Sequence, residues 1–105
     1  MRDKLQSDKC ARSLKALADR DRLRIIQCLQ EGEQSVGGLA KSLRLEIANV
    51  SHHLGVLRHA GLVRDRKAGK YVLYSLAPKM ARPDAAGKRA SVLDLGCCRL
   101  DIGRQ

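Results

Sequence analysis

The pattern of apolar residues between positions 46 and 59 constrains the fold more than any other feature of this chain. Val50, Leu54 and Leu57 recur at the spacing of a single helix face, which predicts an amphipathic helix over this range. The opposite face carries small and polar residues. Such a face lets a helix approach another macromolecule closely, although the same composition also suits a solvated surface that binds nothing.

A basic hairpin is predicted directly after this helix. Gly61 is suited to end the helix, and the stretches 62–66 and 71–76 alternate like paired strands, with 67–70 as the turn. A helix followed by a cationic hairpin is typical of a helix that enters a DNA groove beside a wing that contacts phosphates. A charged tip that only keeps the protein soluble is the alternative. The cations are Arg64, Arg66, Lys67 and Lys70.

Three further helices are predicted before this pair. Residues 4–17 carry an apolar stripe, Asp19 is suited to cap a second helix between 20 and 32, and Ser35 is suited to cap a short third helix over 36–43. The sequence therefore predicts a mainly α protein with a small β wing, a winged helix-turn-helix of order α-α-α-α-β-β.

The C-terminal part has a weaker pattern. Two prolines favour a linker or a loose helix over 77–90, and the apolar end is predicted to be one strand with a bulge near Gly96, or a short helix. We therefore expect a DNA-binding domain over 1–76 and an irregular or short-strand extension over 77–105. That extension is a candidate dimer or effector region.

The composition favours a polyanionic partner. The 105 residues carry a formal net charge of +10, and Tyr71 and Tyr74 are the only aromatic residues apart from histidine. The scarcity of aromatic residues argues against a protein that binds single-stranded nucleic acid by stacking its bases on aromatic side chains. No apolar run is long enough to span a bilayer and no apolar signal core follows the N-terminus. We therefore expect a cytoplasmic protein with no membrane partner and with its four cysteines reduced.

The candidate DNA contacts come from the outer face of the fourth helix, the cap of the third and the wing. Asparagine can pair with adenine in the major groove, serine can donate to bases or phosphates, and histidine can do either. Cations on the hairpin fix the register through phosphates while the helix contacts base edges. The candidate residues are Ser35, Ala48, Asn49, Ser51, His52, His53, Arg58, Arg64, Arg66, Lys67 and Lys70.

Two blocks of the chain resemble a known family. ALADRDRLRIIQCL at 16–29 and NVSHHLGVLRHAGLVRDRKAGKYVLYSL at 49–76 are similar to the second helix and to the groove helix and wing of the ArsR/SmtB winged helix-turn-helix repressors. The resemblance implies a homodimer that binds a palindromic operator in double-stranded DNA and is released by an effector. The chain departs from the family pattern at Arg44, a turn position that is often glycine, at Glu46 in place of a Ser or Thr cap, and at Ile47.

Cysteines are the candidate effector ligands. Many relatives carry a Cys-x-Cys pair on the third helix, where this chain has Ser35 and Gly37, and the C-terminal Asp and His ligands of others have no counterpart. Cys97 and Cys98, completed by Cys10, could bind a thiophilic ion such as trivalent arsenic, Cu(I) or Zn(II). Adjacent side chains on a regular strand point to opposite faces, so one ion can bind the sulfurs of both Cys97 and Cys98 only if the backbone there is irregular.

Other interpretations of the cysteines and of the whole chain remain. The three thiols could form a redox switch or simply pack as small apolar groups, as we expect of Cys28. No cofactor is certain. A winged-helix module that binds protein or structured RNA is the alternative function. An enzyme is disfavoured, because the histidines fall on the expected DNA face and no acidic partner orients them.

Overall fold

The computed structural model describes residues 4–83 and 89–103. Four helices and a three-stranded sheet are followed by a second, C-terminal three-stranded sheet. The predicted helices and the hairpin are confirmed. In chain order the elements are α1 Lys4–Leu17, α2 Arg20–Glu31, β1 Gln34–Ser35, α3 Val36–Leu43, α4 Ile47–His59, β2 Val63–Ala68, β3 Tyr71–Leu76, β4 Ala81–Pro83, β5 Arg89–Asp94 and β6 Arg99–Asp101.

Side-chain caps start the second and third helices, as predicted. The Asp19 carboxylate accepts hydrogen bonds from the backbone N–H groups of Asp21 and Arg22. These bonds, that of Arg22 above all, hold the pKa of Asp19 below its usual value. The Ser35 hydroxyl accepts a bond of 3.0 Å from the N–H of Gly38. Both caps satisfy backbone donors that a helix N-terminus leaves unpaired.

Position 44, one of the departures from the family pattern, lies in the turn between α3 and α4. Arg44 has a φ of 57° and a left-handed conformation, which glycine adopts without the steric cost of a Cβ. Its N–H still bonds to the carbonyl of Ala40 and so ends α3. Glu46 precedes α4 as its cap residue but makes no side-chain capping bond. The Glu46 carboxylate is therefore left to interact with the positive end of the helix dipole.

One hydrophobic core holds the helices and both sheets together. The predicted stripe of α4, Val50, Leu54 and Leu57, has no exposed surface. Ile25 and Ile26 of α2 are equally buried in the same cluster. The core extends beyond residue 76, and its C-terminal members are Ala77, Met80, Leu93 and Leu95.

The first sheet forms the wing and anchors it to the domain. β3 lies between β1 and β2, and β2 pairs with it from Val63–Leu76 to Ala68–Tyr71. Only Gly69 and Lys70 form the turn, and Gly69 has a φ of 63°. The predicted turn over 67–70 was therefore too long, because pairing continues to the last residue before the glycine.

The C-terminal extension is a sheet, which corrects two predictions. The linker or loose helix predicted for 77–90 is wrong at β4 and at the start of β5, while residues 84–88 lie outside the described part. The predicted single bulged strand is a hairpin: β5 and β6 pair antiparallel, and Gly96, at a φ of 88°, lies in the turn between them. The shift in apolar alternation at Gly96 therefore marks a reversal of the chain.

A disulfide joins the first helix to this turn. Cys10 of α1 and Cys97 are bonded across a sequence separation of 87 residues, whereas Cys28 and Cys98 are free thiols. The expectation of four reduced cysteines is therefore wrong for one pair. Sequence spacing could not indicate this pairing, because the C-terminal sheet has to fold before the two residues meet.

Reduction of this disulfide is expected to lower the free energy of unfolding. A cross-link that closes a long loop restricts the unfolded chain, and native disulfides commonly contribute about 2–4 kcal/mol in this way. Thermal denaturation with and without a phosphine reductant measures the change. Cys10→Ser should reproduce the lower stability without reductant, and the matched control Cys28→Ser should keep the response. A transition that reductant leaves unmoved in the wild type would contradict the bond.

Candidate nucleic-acid interface and thiol cluster

The outer surface of α4 is accessible over its first two turns. Ala48, Asn49, Ser51 and His52 are exposed, and we call these four residues the open face. Ile47, which sequence reasoning noted only as a departure from the family, is 61% exposed at the start of the same helix. The open face therefore offers amide, hydroxyl and imidazole groups next to an unburied aliphatic side chain.

His53 is placed differently from the open face. Its side chain is half-buried, and its Nδ1 lies 3.2 Å from Nη1 of Arg22 on α2. Arg22 is itself fixed by a bond of 2.6 Å from its Nε to the carbonyl oxygen of Ala16. The imidazole thus connects α4 to α2. Ser35 is also half-buried, and its hydroxyl oxygen accepts the capping bond of α3.

The wing presents its cations to the surface. Arg64, Arg66, Lys67 and Lys70 are exposed, as is Arg58 in the last turn of α4. The ammonium of Lys70 lies 5.7 Å from the centroid of the Tyr71 ring. Arg64, Arg66, Lys67 and Lys70 place four positive charges along one hairpin, an arrangement suited to a phosphate backbone.

One of these cations already has an acidic partner. Arg66 donates from Nε and Nη2 to the two carboxylate oxygens of Glu33, both at 2.8 Å. This side-chain hydrogen bonding lowers the pKa of Glu33 and raises that of Arg66. Sequence reasoning missed Glu33. The missing signal was the short strand β1, which follows Glu33 and pairs with β3 beside the wing.

Three sulfur atoms meet beside α1, and we call Cys10, Cys97 and Cys98 the thiol cluster. Their sulfurs all lie within 4.8 Å of one another, with Cys98 Sγ 3.8 Å from Cys10 Sγ and 4.0 Å from Cys97 Sγ. The two adjacent cysteines share this space because they lie in the irregular segment between β5 and β6. Once the disulfide is reduced, these sulfurs form a donor set suited to a soft ion.

A cavity extends from the thiol cluster to the end of α4. Its volume is about 450 Å³, and Cys10 and Cys97 line it together with His59 and Ala60, the last residue and the C-cap of α4. Cys28 is not part of the cluster. Its thiol packs partly buried against the core, and this burial raises its pKa. The fourth cysteine thus fits the predicted structural role.

No helix in the described ranges 4–83 and 89–103 has both the length and the apolar character needed to cross a bilayer.

The family model of arsR-family bacterial regulatory proteins matches residues 19–65. The transcriptional repressor SdpR of Bacillus subtilis (strain 168) is 32% identical over 62 residues, 59% of this chain and 69% of SdpR. The arsenical resistance operon repressor of Escherichia coli (strain K12) is 46% identical over 65 residues, 61% of this chain and 56% of that repressor. The chain spans 54–69% of the length of these and similar curated relatives.

Solved structures give the same result for the fold. The solution structure of the homodimeric winged helix-turn-helix DNA-binding domain of Mb0332 from Mycobacterium bovis, described as a possible ArsR-family regulator, has a TM-score of 0.67 and 33% identity. The match covers 73% of each chain. Four helices, a paired wing and a matching sequence block therefore agree, and the chain belongs to the ArsR family of bacterial regulatory proteins.

Proposed function

We propose that this protein is a sequence-specific regulator of transcription that binds double-stranded DNA as a homodimer. It represses transcription until an effector releases it from the DNA. The observation that carries the proposal is the open face of α4, which is accessible beside a cationic wing. Phosphate contacts from a wing fix the register of a protein on DNA, and a helix in the major groove then contacts base edges.

The open face supplies the sequence-dependent contacts. Asn49 pairs with adenine, while Ser51 and His52 bond to bases or nearby phosphates. Ile47, with most of its side chain exposed, contacts the methyl group of thymine. His53 and Ser35 support these contacts through their bonds to α2 and within α3, which hold the groove helix and its neighbour in place.

The wing supplies contacts that do not depend on sequence. Arg64, Lys67 and Lys70 neutralise phosphates, and Arg58 extends the cationic surface from the end of α4. Arg66 joins them only after it leaves Glu33, because both carboxylate oxygens of Glu33 occupy its guanidinium. Glu33 therefore tunes the strength of the contact between wing and backbone.

Two copies of the chain are needed for a palindromic site. The homodimeric state of the Mb0332 domain supports this part of the proposal. In a symmetric dimer the two groove helices meet successive turns of the duplex, about 34–36 Å apart. We place the protein in the cytoplasm and assign it no catalytic activity, as suits a family of regulators.

The thiol cluster is the proposed effector site. Reduced Cys10, Cys97 and Cys98 bind a thiophilic ion, which is trivalent arsenic, Cu(I) or Zn(II). Trivalent arsenic is placed first because it forms three bonds and the cluster offers three sulfurs, whereas structural Zn(II) takes four ligands. The arsenical resistance operon repressor among the relatives supports this choice. The shared cavity supports a structural connection between the ion site and α4, because the C-terminal end of α4 lies against the same space.

The wing contacts are tested by salt dependence. Arg64→Gln is expected to weaken binding to a random-sequence duplex and to reduce the slope of log K against log salt by about 1.8 for the dimer, because each of its two protomers loses one phosphate contact, which accounts for about 0.9. Mobility-shift titrations between low and moderate salt measure both. Arg99→Gln, which removes the same charge from the C-terminal sheet, is the control. Equal slopes for Arg64→Gln and the wild type would contradict a phosphate contact at Arg64.

The contact between Glu33 and Arg66 gives an opposite prediction. Glu33→Gln frees the guanidinium in each protomer, so affinity for the same duplex should rise roughly two- to five-fold per protomer, the equivalent of one exposed ion pair in each. Glu31→Gln removes an exposed acidic charge without touching Arg66 and controls for net charge. In the Glu33→Gln, Arg66→Gln double variant the gain should vanish. A gain that persists there would show that Glu33 acts without Arg66.

The effector proposal is tested on the reduced protein bound to DNA. Arsenite is expected to release the duplex at stoichiometric concentration, and the Cys97→Ser, Cys98→Ser double variant should stay bound. Cys28→Ser, the matched control, should respond like the wild type. Fluorescence anisotropy of a labelled duplex measures the release. A double variant that is released at the wild-type arsenite concentration would refute the thiol cluster as the ion site.

A further inference from the structure

We propose that the cavity beside the thiol cluster is a binding site for small anionic thiols, which reduce the Cys10–Cys97 disulfide from within it. The cavity has a volume of about 450 Å³, inside the range of roughly 300–1,000 Å³ that is usual for small-molecule sites. Both sulfurs of the disulfide belong to residues that line it. A thiol bound in this space therefore lies next to the disulfide bond that it can cleave.

The charge of the cavity selects an anion. Lys9, Arg12 and Lys79 line it, and none of its described lining residues is acidic. Lys9 and Arg12 are three residues apart on α1 and share a helix face, while Lys79 enters from the segment after the wing. Three cations around a concave space raise the local concentration of anions well above that in bulk solution. A thiol that carries carboxylates matches both features of the site, its charge and its disulfide.

The reaction requires only the thiol itself as reductant. The thiolate attacks Sγ of Cys97, a bond forms between the two sulfurs, and the Cys10–Cys97 bond breaks with Cys10 leaving as a thiolate. A second thiolate then attacks the sulfur of the bound thiol, which releases Cys97 as a thiolate and a low-molecular-weight disulfide. Two thiols are oxidised and one protein disulfide is reduced. Nearby cations stabilise the Cys10 thiolate as it leaves.

The position of Cys98 gives this reaction a consequence. Its sulfur lies 3.8 Å from that of Cys10 and stays free while the other two are bonded. Reduction therefore converts a single free thiol into three converging thiols. The anionic thiol would control whether the cluster can bind an ion at all. This inference rests on the disulfide and the cavity, and it holds or fails independently of DNA binding.

Reduction kinetics of the oxidised protein test the proposal. Mercaptosuccinate, 2-mercaptoethanol and cysteamine provide anionic, neutral and cationic thiols, and alkylation followed by mass spectrometry counts the thiols released. Each rate is divided by the rate of the same thiol with an uncharged small disulfide, which removes differences in thiol reactivity. We expect mercaptosuccinate to react about tenfold faster than the neutral thiol on this scale. Its rate should also saturate with concentration, and succinate should compete.

Variants separate the cavity from the general positive charge of the protein. Arg12→Gln with Lys79→Gln should abolish saturation and the preference for the anion. Lys41→Gln, an exposed residue of α3, should retain both. Linear, equal normalised rates for the three thiols would overturn the proposal. So would an anion preference that survives in the double variant, or an oxidised wild-type protein without the Cys10–Cys97 bond. Competition by succinate needs no variant, so a double variant that fails to fold leaves the test intact.

Discussion

The burial of one face of α4 is the interaction on which the rest of the structure depends. Val50, Leu54 and Leu57 have no exposed surface, and full burial of such a side chain contributes about 1.5–3 kcal/mol. Because a small domain has a net stability of about 5–15 kcal/mol, this stripe alone decides whether the helix stays docked. It also decides which residues remain outside, since the turn of the helix then leaves Asn49 and His52 in solvent.

The same helix connects two chemically different regions. Its N-terminal half carries the open face, while its C-terminal end lies against the cavity that contains the disulfide. The helix is thirteen residues long, which corresponds to about 20 Å. A change of oxidation state or ligand beside His59 can therefore reach the open face as a movement of one rigid element. On the wing, the carboxylate of Glu33 accepts two hydrogen bonds from the guanidinium of Arg66.

Local patterns predicted the helices and the wing, because their information is local: helical spacing at Val50 and Leu54, caps at Asp19 and Ser35, and glycines after α2 and α4. Contacts between distant residues were not predictable in this way. The contact of Glu33 with Arg66 depends on the pairing of β1, and the bond from Cys10 to Cys97 depends on a C-terminal sheet. The contact of His53 was not predictable either, because its partner Arg22 lies on another helix. The slip in alternation at Gly96 was visible, but a bulge and a hairpin turn give the same local signal.

Selection from a pool of random duplexes tests most directly the central claim that the open face of α4 contacts bases. The wild type is predicted to enrich an inverted repeat whose half-sites lie about 10–10.5 base pairs, or a multiple of that, apart. With Asn49→Ala the enriched sequence should lose its preference at one position of each half-site, while the spacing stays the same. A pool that shows no inverted repeat, or an Asn49→Ala pool indistinguishable from that of the wild type, would contradict the account.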